Sequence, residues 1–185
     1  SVTCEDAVTD KSGNRILFHD RKGYEDKWRK HHTSSFARDV WCYDKTTESF
    51  TKLTDNAAED RNPVFSSDEN TVYYLSERSG TFNVWKMDFR NPSNATQLTF
   101  FENHPVRFLT ISKDGTLCFS WDGKIYTMRD GSQPSEVSVR VSLEDKSNPE
   151  SIMTFNNGAT EMEPSPNGKE FAFIVRGEVF VSSVE

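Results

Sequence analysis

The feature that most constrains the fold is a short sequence motif that occurs four times in the chain. Each copy reads as a short strand, a turn rich in Ser, Asp, Asn and Gly, and an apolar strand. The turns Asp114-Gly115 and Asn167-Gly168 favour hairpins, because glycine adopts a positive φ at little cost. The four copies are "AVTDKSGNRILFH" (7–19), "PVFSSDENTVYYL" (63–75), "LTISKDGTLCFSW" (109–121) and "EPSPNGKEFAFIV" (163–175).

Two further elements follow these copies. A third strand is predicted from the alternating segments "RDVWCYD" (38–44), "FNVWKMD" (82–88), "GKIYTMR" (123–129) and "GEVFVSS" (177–183). A fourth is predicted from "SFTKLT" (49–54), "ATQLTF" (95–100) and "EVSVRVS" (136–142). Trp41 and Trp85 are 44 residues apart, and Tyr126 follows 41 residues later. Four short strands in about 40–45 residues are typical of one β-propeller blade.

The predicted fold class is therefore all-β, built from four-stranded antiparallel meanders that stack face to face as propeller blades. Approximate blade boundaries are 1–57, 58–103, 104–158 and 159–185, within one propeller segment covering 1–185. The fourth unit stops after its third strand, which gives about three complete blades and one partial blade. Because propellers close with about four to eight blades, we expect the chain to be a fragment of a larger propeller.

Composition narrows the class of function. The net charge of −7 makes a nucleic-acid-binding role unexpected. No apolar run reaches the length of a membrane span. Three widely spaced cysteines without a CxxC pair are expected to be small buried residues. His31-His32 has no third ligand nearby in sequence, so neither a metal nor any other cofactor is predicted.

Several residues invite a functional interpretation but favour a structural one. The aromatic residues Trp41, Trp85, Tyr126 and Phe180 recur at one strand position, which indicates core packing. The carboxylates Glu59, Asp60, Asp68 and Asp114 are expected to form turn hydrogen bonds and not to hydrolyse glycosides. Ser34 and Ser35 lie near His32, but such pairs are common by chance and no GxSxG loop exists. No catalytic residue is predicted in this chain.

The repeat itself resembles a known family. "SSDENTVYYLSERSGTFNVWKMD" and "SPNGKEFAF" resemble the repeat of TolB-like propellers over nearly the whole chain. The longer segments 14–44 and 59–88, with "SPNGKEFAFIVRGEVFVSSVE", look like the N-terminal propeller of bacterial tricorn-protease-like serine peptidases. In that family a PDZ domain and a C-terminal-processing-type peptidase domain follow the propeller. The propeller is thought to filter or guide peptides toward the active site.

The resemblance implies a role as scaffold and peptide gate, with catalysis elsewhere in the parent protein. Its implied partners are peptides or unfolded protein segments, the remaining blades, and the PDZ and peptidase domains. A periplasmic or exported location is implied in the same way. Pairing of two copies into a ring is a further possibility, because an open propeller leaves two sheet edges unpaired. Whether the chain itself is enzymatic is left open.

One long insertion departs from the repeat. Phe18 and Trp41 are 23 residues apart, whereas the equivalent Tyr74 and Trp85 are 11 apart. Residues 21–38 carry six basic and two acidic side chains inside an acidic protein. One interpretation is a solvated loop or a contact with another domain. The sharper hypothesis is an anion- or peptide-binding loop that receives acidic segments or a peptide carboxylate. Its proposed residues are Lys22, Tyr24, Lys27, Trp28, Arg29 and Lys30.

Three functions compete at this point. The first is the non-catalytic propeller region of a tricorn-like peptidase. The second is a TolB-like module for protein–protein interaction unrelated to proteolysis, and the third is a self-contained hydrolase that uses propeller loops. A PDZ and a peptidase domain after residue 185 would favour the first, and turnover of peptides or glycosides by this chain would favour the third.

Overall fold

A computed structural model describes residues 3–22, 36–140 and 153–184 of the chain. All regular structure in these ranges is β-strand, which confirms the all-β prediction. No helix in this part of the chain has the length and apolar character of a membrane span. The chain divides into two compact units, Ser1–Arg140 and Val141–Glu185, and each is described by itself.

The first unit contains three four-stranded antiparallel sheets, each a simple meander in which consecutive strands are neighbours. The first blade consists of β1 (Cys4–Thr9), β2 (Arg15–Asp20), β3 (Val40–Asp44) and β4 (Ser49–Lys52). The second consists of β5 (Asp60–Phe65), β6 (Thr71–Ser76), β7 (Asn83–Asp88) and β8 (Ala95–Gln97). The third consists of β9 (Arg107–Ile111), β10 (Leu117–Trp121), β11 (Lys124–Met128) and β12 (Ser135–Glu136).

The second unit is a single three-stranded sheet with the same meander topology. Its strands are β13 (Ala159–Pro164), β14 (Glu170–Val175) and β15 (Glu178–Ser183). β12 is shorter than the sequence predicted: only Ser135 and Glu136 pair with β11, and 137–140 form no strand. The third blade is therefore closed by two cross-strand pairs of residues and by one hydrogen bond beyond them, from the Val137 amide to the Ile125 carbonyl at 2.8 Å.

Strand pairing confirms the alignment of the repeats. The recurring aromatic residue of the third strand lies opposite an aromatic residue of the second strand in every blade. These pairs are Phe18 with Trp41, Tyr74 with Trp85, Phe119 with Tyr126, and Phe173 with Phe180. All four third-strand rings are half-buried, as expected for side chains that help to cover a sheet face.

The hydrophobic core lies between neighbouring blades because alternate residues of one strand face opposite sides of a sheet. In β6, Val72 and Tyr74 belong to the cluster shared with the first blade. Tyr73 and Leu75 belong to the cluster shared with the third blade. A central blade thus buries both of its faces, and each fully buried aliphatic or aromatic side chain contributes about 1.5–3 kcal/mol.

Backbone hydrogen bonds that link blades recur at equivalent positions. The amide of Asp60 donates to the carbonyl of Arg38 at 2.9 Å, and the amide of Val106 donates to the carbonyl of Phe82 at 2.9 Å. Each bond joins the start of a first strand to the residues just before the third strand of the preceding blade. The repeat therefore fixes where the blades meet as well as how each blade folds.

The hairpin turns between first and second strands lie at one end of the blades, here called the lower end. Asp68 accepts hydrogen bonds from the Ser66 hydroxyl at 2.6 Å and the Asn70 amide at 3.2 Å. Asp114 accepts in the same way from Ser112 and Thr116. The predicted turn role is confirmed for these two acids.

The same prediction is wrong for Glu59 and Asp60. Both side chains are buried at the upper end of the blades, where first strands begin and second strands finish. Asp60 is the first residue of β5, and Glu59 directly precedes it.

The cysteine prediction is also wrong in part, since Cys42 is buried but Cys4 is exposed.

Candidate functional site

The first strands of the three blades, β1, β5 and β9, enclose a cavity of about 430 Å³ at the upper end of the first unit. We call it the three-strand cavity. Glu5, Asp6, His19 and Arg38 of the first blade supply a charged wall. The facing surfaces include the apolar side chains of the second and third blades, among them Leu75, Phe82, Val106 and Phe108. One cavity therefore presents both charge and apolar surface to a ligand, which is typical of binding sites.

A β-bulge in each first strand shapes the cavity. Asp6, Asn62 and Phe108 occupy the same position of the repeat and have left-handed φ values of 51°, 47° and 57°. The register shifts around each of them, so an extra residue is inserted into the strand. Asp and Asn adopt this conformation readily, but a bulky Phe seldom does. All three residues line the cavity, so the irregularity recurs where a ligand would bind.

A buried ion-pair chain supports the charged wall. The Glu59 carboxylate lies between two guanidinium groups: Arg38 Nη1 is 3.2 Å from Glu59 Oε1, and Arg61 Nε donates to the same oxygen. Arg38 Nη2 also lies 3.4 Å from Glu5 Oε2. The Arg38 side chain is only 3% exposed, so this charge can be tolerated only with carboxylates around it.

His19 stands between two carboxylates of β1. Its Nε2 lies 3.5 Å from Glu5 Oε2, and its Nδ1 lies 3.8 Å from Asp6 Oδ2. Burial lowers the pKa of His19, the charges of Arg38 and Arg61 lower it further, and Asp6 and Glu5 oppose them. The imidazole is therefore mainly neutral at pH 7. Nδ1 is buried and has no hydrogen-bond partner among the residues that the structure describes.

Asp6 is the most accessible acid of this wall, with a side chain that is 53% exposed. Its Oδ2 accepts a hydrogen bond of 2.6 Å from the side-chain Nδ2 of Asn62, which joins the bulges of the first two blades. Within 3–22, 36–140 and 153–184, no lysine or arginine forms an ion pair with it. Asp6 therefore brings to the cavity a negative charge that is balanced less than that of Glu5.

Asp60 belongs to the same upper end but faces a different environment. Burial raises its pKa, which Ser76, Arg78, Thr54 and Asn56 partly oppose. Arg78 Nη2 lies 3.5 Å from Asp60 Oδ2, and the Arg78 guanidinium stacks 4.6 Å from the Trp85 ring centroid. Asp60 thus ties the loop after β6 to the blade and does not line the three-strand cavity.

Only one residue of the predicted basic site falls in the described ranges. Lys22 Nζ donates to the Ala37 carbonyl at 2.6 Å and to Asp39 Oδ2 at 2.7 Å, and its charge is engaged within the protein. The remaining predicted residues, Tyr24, Lys27, Trp28, Arg29 and Lys30, lie outside the described residues, as do His31, His32, Ser34 and Ser35. The anion-binding hypothesis stays a prediction.

Sequence analysis missed the three-strand cavity because its wall is assembled from three repeats. A usable signal was present: aligning the first strands places Glu5, Arg61 and Arg107 at one repeat position and Asp6, Asn62 and Phe108 at the next. Charges at a recurring position of stacked first strands indicate a common surface. Pairing each charge with its partner still requires the three-dimensional contacts.

Comparison with known proteins supports the fold. No known protein-family profile matches the chain. An uncharacterized protein from Agrobacterium fabrum is 26% identical over 143 residues, which are 74% of this chain and 46% of that protein. The chain thus spans less than half the length of this relative.

Solved structures give a broader match. Tricorn protease superposes with a TM-score of 0.64 at 20% identity, covering 96% of this chain and 16% of that one. TolB from Acinetobacter baumannii superposes with a TM-score of 0.55 at 14% identity, covering 96% and 40% respectively. Together with the meander sheets, these similarities show a TolB-like β-propeller fold.

Proposed function

We propose that this chain is a non-catalytic binding module that recruits extended peptide or unfolded protein segments. The observation that carries the proposal is the three-strand cavity, which combines a charged wall with apolar surface at one end of the blades. A peptide offers the matching chemistry, because charged groups and apolar side chains alternate along a single chain. A charged network already fixed by internal ion pairs costs little reorganisation when a ligand binds.

The parent protein in this proposal is a tricorn-like serine peptidase, in which the propeller acts as scaffold and peptide gate. Support comes from the sequence segments that resemble this family and from the similarity to tricorn protease over 96% of the chain. The chemistry would belong to a peptidase domain elsewhere in the parent protein. An exported or periplasmic location follows from the same proposal.

The contacts of His19 and His104 within the described residues fit the proposed binding role. Neither His19 nor His104 forms a hydrogen bond to a serine or cysteine among the described residues. Nucleophilic catalysis requires a nucleophile within hydrogen-bond reach of its base. His19 contacts carboxylates, and its burial serves to hold the charged wall in place.

A matched pair of variants tests peptide recruitment. Phe108 lines the cavity and is 63% exposed, whereas Phe100 is 75% exposed and does not line it. We expect Phe108→Asn to weaken binding of fluorescent unfolded peptides in anisotropy titrations, because the apolar wall loses a ring while Asn tolerates the left-handed backbone. Phe100→Asn should bind like the unchanged protein. Equal affinity of both variants, or no binding by the unchanged chain, would contradict the proposal.

The alternative is a TolB-like module that binds a folded protein partner and serves no protease. The similarity to TolB supports it as far as the fold is concerned. A competition experiment separates the two proposals. If the propeller is a peptide gate, an unlabelled unfolded peptide should displace a labelled peptide from it. If it is a dedicated interaction module, it should bind an intact partner domain more tightly than an unfolded peptide. Sequence encoding PDZ and peptidase domains downstream would also favour the peptidase.

We also propose that the basic insertion contributes to recruitment of acidic segments. Lys22 donates a hydrogen bond to Asp39, which fixes the position at which the insertion begins. Charge reversal of Lys27, Arg29 and Lys30 should weaken binding of acidic peptides and flatten its salt dependence. Unchanged affinity across a salt series would remove this part of the proposal.

A further inference from the structure

The three-strand cavity contains two hydrogen-bond acceptors that the protein itself leaves underused. Asp6 is a half-exposed carboxylate whose partners among the described residues are the side-chain Nδ2 of Asn62 and, at 3.8 Å, His19. His19 Nδ1 is buried and lacks a hydrogen-bond partner in the same set of residues. A buried polar atom without a partner is costly, so its presence beside an accessible acid indicates a ligand.

The tautomer of His19 makes Nδ1 an acceptor. Nε2 is nearer to its carboxylate, 3.5 Å from Glu5 Oε2, than Nδ1 is to Asp6 Oδ2. We therefore assign the single hydrogen of the neutral ring to Nε2, which leaves a lone pair on Nδ1. Asp6 Oδ2 and His19 Nδ1 then form a pair of acceptors 3.8 Å apart.

This spacing suits one donor nitrogen. Hydrogen bonds from nitrogen span about 2.7–3.2 Å, so a single nitrogen can reach both atoms of the pair. An ammonium group carries three donors and a positive charge, and hydrogen bonds to an ionised partner are the stronger ones. A neutral amide nitrogen would satisfy the geometry but not the charge of Asp6.

The other carboxylates near the wall, Glu5 and Glu59, are paired with arginines. Glu5 lies 3.4 Å from Arg38 and 3.3 Å from Arg21, and Glu59 is shared by Arg38 and Arg61. An anionic ligand would compete with these carboxylates for the buried guanidinium groups of Arg38 and Arg61. The half-buried Arg107 lines the opposite side of the cavity.

Apolar side chains complete the cavity. Leu75, Phe82 and Val106 are almost fully buried and form its floor, and Phe108 stands at its rim. A ligand that places an ammonium group against Asp6 would therefore lay its attached carbon chain on apolar surface. Burying that chain contributes about 25 cal/mol per Å² of apolar area removed from water.

We propose that the three-strand cavity binds a primary ammonium group on an apolar stem, with Asp6 and His19 Nδ1 as its acceptors. Resting on the proposed peptide-binding function, this inference names the free N-terminus of a peptide with an apolar first residue as the ligand. A lysine side chain presents the same chemistry, and the experiment below separates the two sources.

The first test uses small probes and the full chain. Leucinamide should bind weakly, in the millimolar range expected for so small a ligand, and should shift the NMR signals of His19. N-acetyl-leucinamide lacks the ammonium group and should not bind, and N-acetyl-leucine offers only a carboxylate. Preferential binding of N-acetyl-leucine would overturn the inference in favour of an anion site.

Variants and pH sharpen this test. Asp6→Asn keeps the side-chain shape and should weaken leucinamide binding at least about tenfold. Glu48→Gln removes an exposed acid from the β3–β4 turn at the lower end and should have no effect. Acidification that protonates His19 should weaken leucinamide binding, because Nδ1 loses its lone pair and the ring gains charge beside Glu5, Asp6, Arg38 and Arg61. Unchanged affinity in Asp6→Asn would exclude the site.

Peptides complete the experiment and separate it from the proposed function. A C-terminally amidated leucine–alanine peptide should bind with a free N-terminus and lose affinity when acetylated. If an acetylated peptide with one lysine binds as well as the free one, the ligand source is the lysine side chain. If peptides bind equally well with or without a free N-terminus or a lysine side chain, the ammonium site is wrong but the proposed recruitment of peptides still stands. If leucinamide binds but none of the peptides does, the result supports the ammonium site and contradicts the proposed recruitment of peptides.

Discussion

The two ends of the blades use acidic residues in opposite ways. At the lower end, Asp68 and Asp114 lie in exposed turns and accept hydrogen bonds mainly from residues within a few positions along the chain. Asp114 also forms an exposed ion pair with Arg129 at 2.7 Å. At the upper end, Glu59 and Asp60 are buried and are paired with arginines of other elements. The same residue types therefore serve local turn chemistry at one end and contacts between strands at the other.

The pKa values follow this difference. The Ser66 hydroxyl, with the Asn70 side chain and amide, lowers the pKa of Asp68 to about 2. Burial raises the pKa of Asp60 instead, although hydrogen bonds and Arg78 oppose the shift. An acid in a turn is thus stabilised as an anion by its neighbours in sequence. A buried acid at the upper end depends on partners that folding brings close to it.

The largest expected effect is at Glu59. Glu59→Ala would leave Arg38 and Arg61 buried without the carboxylate they share, and breaking a buried ion pair typically costs about 3–5 kcal/mol. We expect a loss of this size in the free energy of unfolding, measured by urea denaturation. Asp114→Ala removes an exposed acid of the lower end and should destabilise the protein far less. Equal losses would mean that the two ends do not differ energetically.

The second effect is a pH dependence that originates at the upper end. The folded-state pKa of His19 lies below the ordinary value of 6.5, so the unfolded chain binds more protons as the pH falls below that value. Stability should therefore be full above about pH 6.5 and decrease on acidification. His19→Gln should flatten this slope, while His104→Gln, which changes an exposed imidazole, should keep it. A slope unchanged by His19→Gln would place the titrating group elsewhere.

The contrast between the ends also explains what the sequence could predict. The pairing of Phe18 with Trp41 and of Tyr74 with Trp85 follows from the repeat, and the Asp68 turn follows from adjacent Ser, Asp and Asn. These depend on periodicity and on neighbours in the chain. The contact of Arg38 with Glu59 depends on how two blades stack, so local pattern could not reveal it.

The smallest expected effect is at Asp68. Because its folded-state pKa is about 2, below the ordinary 3.8, the stability it contributes is present above pH 3.8 and is lost as the pH falls toward 2. Asp68→Asn keeps an oxygen that can accept from Ser66 but removes the charge, as Asn167 already does at the equivalent turn. We expect a small loss of stability at pH 7, well below that of Glu59→Ala, and a weaker pH dependence of urea denaturation below pH 4. A loss at pH 7 as large as that of Glu59→Ala would show that the turn charge, and not only its oxygen, holds the hairpin.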